Sequence, residues 1–148
     1  MNPILRSQLA VLNNMEKKLN GLYHEIAVNL GISDTALWIM HTLCDAEETY
    51  TQYDFCESWM YPRQTVNTAI SYLTKAGFIT LTVIPGTRNR KAITLTDSGI
   101  AFCEEKIRPL HDAEERAYLQ MTEEERENFV RLREKQFTIL EKEFHSKL

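Results

Sequence analysis

From Ile4 to about Leu30, apolar residues recur every three or four positions, at Leu5, Leu9, Leu12, Met15, Leu19, Leu22, Tyr23 and Ile26. This spacing draws one stripe along a helix and predicts a long amphipathic first element. Gly31 is a suitable stop, and Ser33-Asp34 a suitable cap for a second helix carrying Leu37, Trp38, Met40, His41 and Cys44 and ending near Asp45. Thr51, with Asp54 three residues on, reads as a capping box for a short third helix from Gln52 to about Trp59. Pro62 suits the first position of a fourth helix that stops at Ala76-Gly77. Within it Val66, Ala69, Ile70 and Leu73 form a buried stripe, with Arg63, Gln64, Asn67, Thr68 and Ser71 on the opposite face. After Gly77 the period shortens to alternation: Ile79, Leu81 and Val83, a turn at Pro85-Gly86, then Ile93 and Leu95. That pattern predicts a β-hairpin with a basic tip. From Thr96 a helix carries Ala101, Phe102 and Ile107 to Pro109, whose ring and missing amide predict a kink or interruption before it continues toward Leu119. Thr122 and Glu125 form a second capping box, opening a last helix striped by Phe129, Leu132, Gln136, Phe137, Leu140 and Phe144. The fold class is therefore mostly α with a small β-hairpin.

A chain of 148 residues, 43 % of them hydrophobic, can bury a core as one compact domain or as a small domain with extensions. No apolar run approaches the roughly 20 residues of a membrane helix, and the amino terminus lacks a signal pattern. A cytoplasmic protein without a membrane partner is expected. Cys44, Cys56 and Cys103 are an odd, scattered set, which argues against a disulfide framework or a clustered zinc site. Reduced, mostly buried thiols are the expectation.

The net charge of −4 conceals an uneven distribution. Between Ser58 and Thr96 stand Arg63, Lys75, Arg88, Arg90 and Lys91 with no Asp or Glu, so this segment carries +5 and the rest of the chain −9. Binding to phosphates depends on local potential, so a basic segment can contact DNA inside an acidic chain.

Short helix, tight turn, second helix and then a two-stranded hairpin is the order of a winged helix-turn-helix. A major groove admits one helix, whose exposed face must exchange hydrogen bonds with base edges. Arg63, Gln64, Asn67, Thr68 and Ser71 can do so, with Thr65 and Lys75 beside them. The tip Thr87-Arg88-Asn89-Arg90-Lys91 places long cations where a hairpin reaches a neighbouring minor groove or phosphates. Singly, a polar helix face or a basic hairpin is ordinary solvated surface. Their adjacency in 39 residues free of acid favours DNA.

At PRQTVNTAISYLTKAGFI and RNRKAITLTDSG the chain resembles the MarR (multiple antibiotic resistance regulator) family of bacterial transcription factors, through its recognition helix with the following strand and through its wing with the start of the next helix. The likeness extends over nearly the whole length. It implies a homodimeric regulator, with terminal helices interleaved between protomers and each DNA-reading lobe on half of a pseudo-palindromic operator. A repressor is the expected sign. Residues 1–30 and 97–148 would then form the dimerisation region and 31–96 the DNA-binding lobe. Family wings commonly carry Asp-x-Arg nine and seven residues before the threonine that here is Thr96; those places hold Thr87 and Asn89. Arg88 or Arg90 would have to substitute.

The dimer has independent support, because the terminal stripes are more apolar than a winged helix of some 60 residues could cover. Leu5, Leu9, Phe129, Phe137, Leu140 and Phe144 are the interface candidates. The resemblance also implies a small aromatic or phenolic effector, for which Tyr23, Trp38, His41 and Cys103 are candidate pocket residues; their other reading is plain core. The family's peroxide-sensing cysteine lies in the first helix, and this first helix has none. His24, His41, His111 and His145 lack tight ligand spacing, so no metal and no cofactor is expected. There is no GxSxG, no Gly-rich phosphate loop and no HExxH, which argues against an enzyme and leaves no catalytic residue to name. The competing class is a winged helix used only for protein interaction, docking through Glu123, Glu124, Glu125 and Glu127. The same acids are also a favourable helix N-terminus.

Overall fold

A computed structural model describes residues 1–148 and shows seven α-helices and three short strands. Helix α1 spans Pro3–Leu30; the side chain of Asn2 caps its first turn, and Gly31, at φ 69°, closes it in the left-handed region that glycine enters without a steric penalty. Helix α2 (Asp34–Cys44) starts at Ser33, whose hydroxyl accepts the Ala36 amide at 3.1 Å. The Thr51 capping box forms as the sequence predicts and opens α3 (Gln52–Trp59), and α4 runs Arg63–Lys75. Pro62 sits one place earlier than expected: it is the N-cap of α4, with extended ψ of 138°, rather than its first helical residue. The second capping box opens α7 (Glu123–Lys147).

The hairpin comprises β2 (Ile79–Val83) and β3 (Lys91–Leu95). The sequence pattern does not show a third strand, β1 (Tyr50–Thr51), which pairs antiparallel with β3, Tyr50 opposite Ile93. The sheet order is β1-β3-β2, so the returning wing strand lies in the centre. Thr96 locks the wing's exit onto the end of α4. Its amide donates to the Phe78 carbonyl at 3.0 Å, its hydroxyl to the Gly77 carbonyl, and that hydroxyl accepts from the Gly99 amide at 3.0 Å. A Cβ at position 99 would overlap the Phe78 carbonyl, so the Gly in the Leu-Thr-Asp-Ser-Gly run is sterically required.

The helix after Thr96 runs as α5 (Asp97–Phe102), a π turn (Cys103–Ile107) and α6 (Arg108–Tyr118). The interruption expected near Pro109 thus takes the form of a π turn just ahead of it. A proline has no amide for the carbonyl four residues earlier, and a wider turn there accommodates that loss.

Residues 1–108 form one compact unit and 109–148 another. The core of the first contains Leu37, Ile39, Met40, Phe55, Val66, Leu73, Ile79 and Ile107, all fully buried. Here the thiol expectation is corrected. Cys44, the last residue of α2, and Cys103, at the start of the π turn, have Cα atoms 5.6 Å apart and are joined as a disulfide. Packing of α2 against the π turn brings two residues 59 apart in sequence within bonding reach. Cys56 is the free cysteine and is partly exposed. Beside the bond, Arg108 reaches Asp45 at 2.6 Å and Glu104 at 3.3 Å. These two carboxylates, Asp45 first, push the guanidinium pKa still higher.

Two regions leave apolar surface uncovered. In α1 only Ala27 is buried, while Ile4, Leu5, Leu12, Met15, Leu19 and Leu22 are each 47 % exposed or more. The second unit has no buried residue in α7, and Phe129, Val130, Leu132, Phe137, Leu140 and Phe144 all lie open.

Candidate nucleic-acid interface

At about 100° per residue, Arg63, Gln64, Asn67, Thr68, Ser71 and Lys75 share one arc of α4 about 140° wide. Each is exposed. Val66, Ala69, Ile70 and Leu73 occupy the opposite arc and are 3 % exposed or less, packed toward α2 and α3. Thr65 is exposed but lies off the polar arc. The Thr68 hydroxyl donates to the Gln64 carbonyl at 2.9 Å, so it offers lone pairs and a methyl group outward rather than a proton. No acidic residue stands in the first turn of α4, which leaves the positive end of its dipole unopposed.

The turn ahead of α4 is built by aromatic packing. Phe55, 1 % exposed, lies flat against Tyr50 at 5.4 Å and tilts against Trp59 at 4.7 Å; Trp59 in turn meets Tyr61 edge-on at 5.6 Å. This chain of rings lets Met60 hold φ 54°, a left-handed conformation that a Cβ disfavours. Helix α4 thus follows the short α3 across a turn packed by aromatic rings.

In the wing, Arg88, Asn89, Arg90 and Lys91 are all exposed. No ion pair engages Arg63, Lys75, Arg88 or Lys91, so four cations of the acid-free segment stand ready for an external anion. Arg90 differs: its guanidinium carbon lies 4.6 Å from the centre of the Tyr53 ring on α3. The Tyr53 hydroxyl donates to Glu57 at 2.7 Å, and this hydrogen bond, more than the neighbouring charges, raises the phenol pKa. Composition and alternation could not have shown the Tyr53–Arg90 contact, which joins residues 37 apart through the β1–β3 pairing.

Tyr23, Trp38 and His41 are brought together: Tyr23 and Trp38 at 4.5 Å, Trp38 and His41 at 5.4 Å. Cys103 does not share their candidate role. It is 3 % exposed and its sulfur is bonded to Cys44. At the start of α7 the Glu125 side chain accepts the Thr122 amide at 2.8 Å, so part of the acidic run serves the helix cap.

A two-helix motif joined by a tight turn, with its second helix exposed along a polar arc and a three-stranded wing closing behind it, is a winged helix-turn-helix. Residues 30–88, which contain α2, β1, α3, α4 and β2, match the family model described as MarR family. No curated protein matches the chain. Among solved structures, the chain is similar over 95 % of its length to NMB1585, a MarR family regulator from Neisseria meningitidis, covering 99 % of that protein at 17 % identity and a TM-score of 0.82. It is similar to a MarR family regulator from Listeria monocytogenes complexed with a 26-mer DNA, at 19 % identity, 99 % and 95 % coverage and a TM-score of 0.72. The S. aureus MepR–DNA complex matches at 20 % identity, 88 % and 96 % coverage and a TM-score of 0.69. Residues 30–88 thus carry the MarR family pattern, and the whole chain has the fold of the MarR family regulators to which it is similar. No helix is long and apolar enough to cross a membrane.

Proposed function

We propose that the chain is a transcriptional repressor that binds double-stranded DNA as a homodimer on a pseudo-palindromic operator. One observation carries the DNA reading: the exposed polar arc of α4 and the unpaired wing cations belong to one acid-free segment of a single lobe. In this reading α4 enters the major groove, Gln64 and Asn67 exchange paired hydrogen bonds with base edges, and Arg63 and Lys75 engage guanines or phosphates. Thr65, Thr68 and Ser71 supply shorter contacts, and the wing lies on the adjacent backbone. Similarity to relatives crystallised with DNA supports the assignment. A mixed duplex pool titrated by fluorescence anisotropy across a salt series tests it: affinity should fall steeply with salt, by one order of magnitude or more between 50 and 200 mM, roughly as counterion release requires. Binding that ignores salt would end the DNA reading.

The dimer rests on the uncovered stripes of α1 and α7. Surface of that extent is costly to leave in water, and a second copy of the chain can cover it. Sedimentation should report twice the 17.3 kDa chain mass. Leu5→Glu with Leu9→Glu, or Phe137→Glu with Phe144→Glu, should shift the species toward one chain and weaken operator binding by at least about tenfold, since each half-site alone retains little of the affinity. A wild type that sediments as one chain removes this element. Residues 1–30 and 97–148 are in this reading the dimerisation region, and 31–96 the DNA-binding lobe. An aromatic acid that releases the DNA would engage Tyr23, Trp38 and His41, the grouped rings of α1 and α2.

A further inference from the structure

The wing tip is shaped by its own backbone. Gly86 and Asn89 both adopt left-handed conformations, at φ 78° and 64°. The Thr87 hydroxyl donates to the Ile84 carbonyl at 2.7 Å, and the Ile84 amide to the Arg90 carbonyl at 2.8 Å. Asn89 tolerates positive φ better than most non-glycine residues, and its turn separates the two arginines on either side of it. Arg88 meets no partner in the chain, whereas Arg90 lies over the Tyr53 ring. That ring is itself fixed at both ends, by the first turn of α3 and by its hydroxyl on Glu57 one turn later. β1, which immediately precedes α3, is hydrogen-bonded to β3, which begins at Lys91. Tyr53 and Arg90 therefore clip the free end of the wing to the helix-turn-helix close to where the sheet already ties its base.

We propose that Tyr53 is a positioning residue for DNA recognition: by holding Arg90 it sets the wing against α3 and leaves Arg88, of the two tip arginines, to face the DNA backbone. The proposal rests on the DNA reading above. It divides labour between two arginines that are equivalent in the sequence. No other side-chain hydrogen bond, ion pair or ring contact joins the hairpin beyond the Val83–Lys91 pair to α3, so loss of the ring loosens the tip against that helix. An exposed cation over an aromatic face shifts such an equilibrium by about two- to fivefold.

Two measurements test this. Limited trypsin digestion of the intact protein without DNA, with peptides separated after reduction, reads cleavage after Arg88. Tyr53→Leu should raise that rate by about two- to fivefold, Tyr53→Phe should restore it toward wild type because the ring remains, and Tyr53→Leu should add nothing in an Arg90→Ala background. Anisotropy on a duplex selected by the wild type should show the same pattern as a two- to fivefold loss of affinity. Arg88→Ala should lower the salt slope by about one, and Arg90→Ala should leave it unchanged. Equal cleavage in wild type and Tyr53→Leu overturns the clip. A drop of about one in slope on Arg90→Ala overturns the division of labour, since Arg90 would then be on a phosphate. Salt-independent or absent binding by the wild type overturns the DNA reading and with it the positioning role, an outcome distinguishable because the digestion would still register the clip.

Discussion

Replacing Gln64 and Asn67 together by alanine is expected to abolish most of the protein's preference for its own operator while leaving its affinity for unrelated DNA nearly intact. Both side chains lie on the exposed arc of α4, whose other face is sealed into the core through Val66, Ala69, Ile70 and Leu73. Their amides carry a donor and an acceptor at fixed separation, the pattern that matches an adenine edge in the major groove. Each such pair is worth about 1–3 kcal/mol of discrimination, so the double variant should lose roughly 2–6 kcal/mol between matched and scrambled duplexes. Both positions are solvent-exposed and helical, and alanine favours a helix, so unfolding should not confound the result. Anisotropy on the two duplexes at one salt concentration gives the ratio directly. If the variant discriminates as well as the wild type, α4 does not read bases.

Reducing the Cys44–Cys103 bond should produce the largest change in stability. The bond closes a loop between residues 59 apart, for which the chain-entropy relation gives about 4 kcal/mol. For a chain of this size such a loss lowers the melting temperature by roughly 10 °C. The neighbouring fork of Arg108 to Asp45 and Glu104 crosses the same joint, but its three side chains are 38 to 62 % exposed, where ion pairs contribute little. The covalent link is thus the main constraint on the end of α2. Thermal unfolding with and without reductant is the test, with Cys44→Ser plus Cys103→Ser as the control that should melt at the reduced temperature and ignore reductant. Identical melting of the wild type under both conditions would show that the bond contributes nothing.

Most helix boundaries were legible because short-range chemistry sets them. Ser33, Thr51 and Thr122 each cap the helix that their spacing predicts, and Gly31 ends α1 in the conformation expected of it. The buried and exposed faces of α4 also follow from period alone. Strand β1 did not, because two residues are too few to show alternation and Tyr50-Thr51 pairs only through distant β3. The disulfide is hidden in the sequence for a related reason. An odd number of cysteines with no short spacing carries no pairing signal, and only the packing of α2 on the π turn brings Cys44 to Cys103. Pro109 announced a break but not its form, since an interruption can resolve as a kink or as a wider turn. In the candidate interface the residue types were readable, yet Arg88 and Arg90 became distinct only when β1 placed Tyr53 beneath one of them.

The bond between Cys44 and Cys103 has a further consequence. Residues 45 to 102, which contain the whole helix-turn-helix and the wing, form a covalently closed ring. A protease that cuts the exposed tip opens the ring without releasing a fragment, and both halves of the lobe stay tethered through the sulfurs. A molecule nicked once between Arg88 and Lys91 would keep every residue, heavier by one water, until a reductant separates the pieces. The exposed peptide bonds of the wing tip are therefore ones whose single cleavage leaves the chain in one covalent piece.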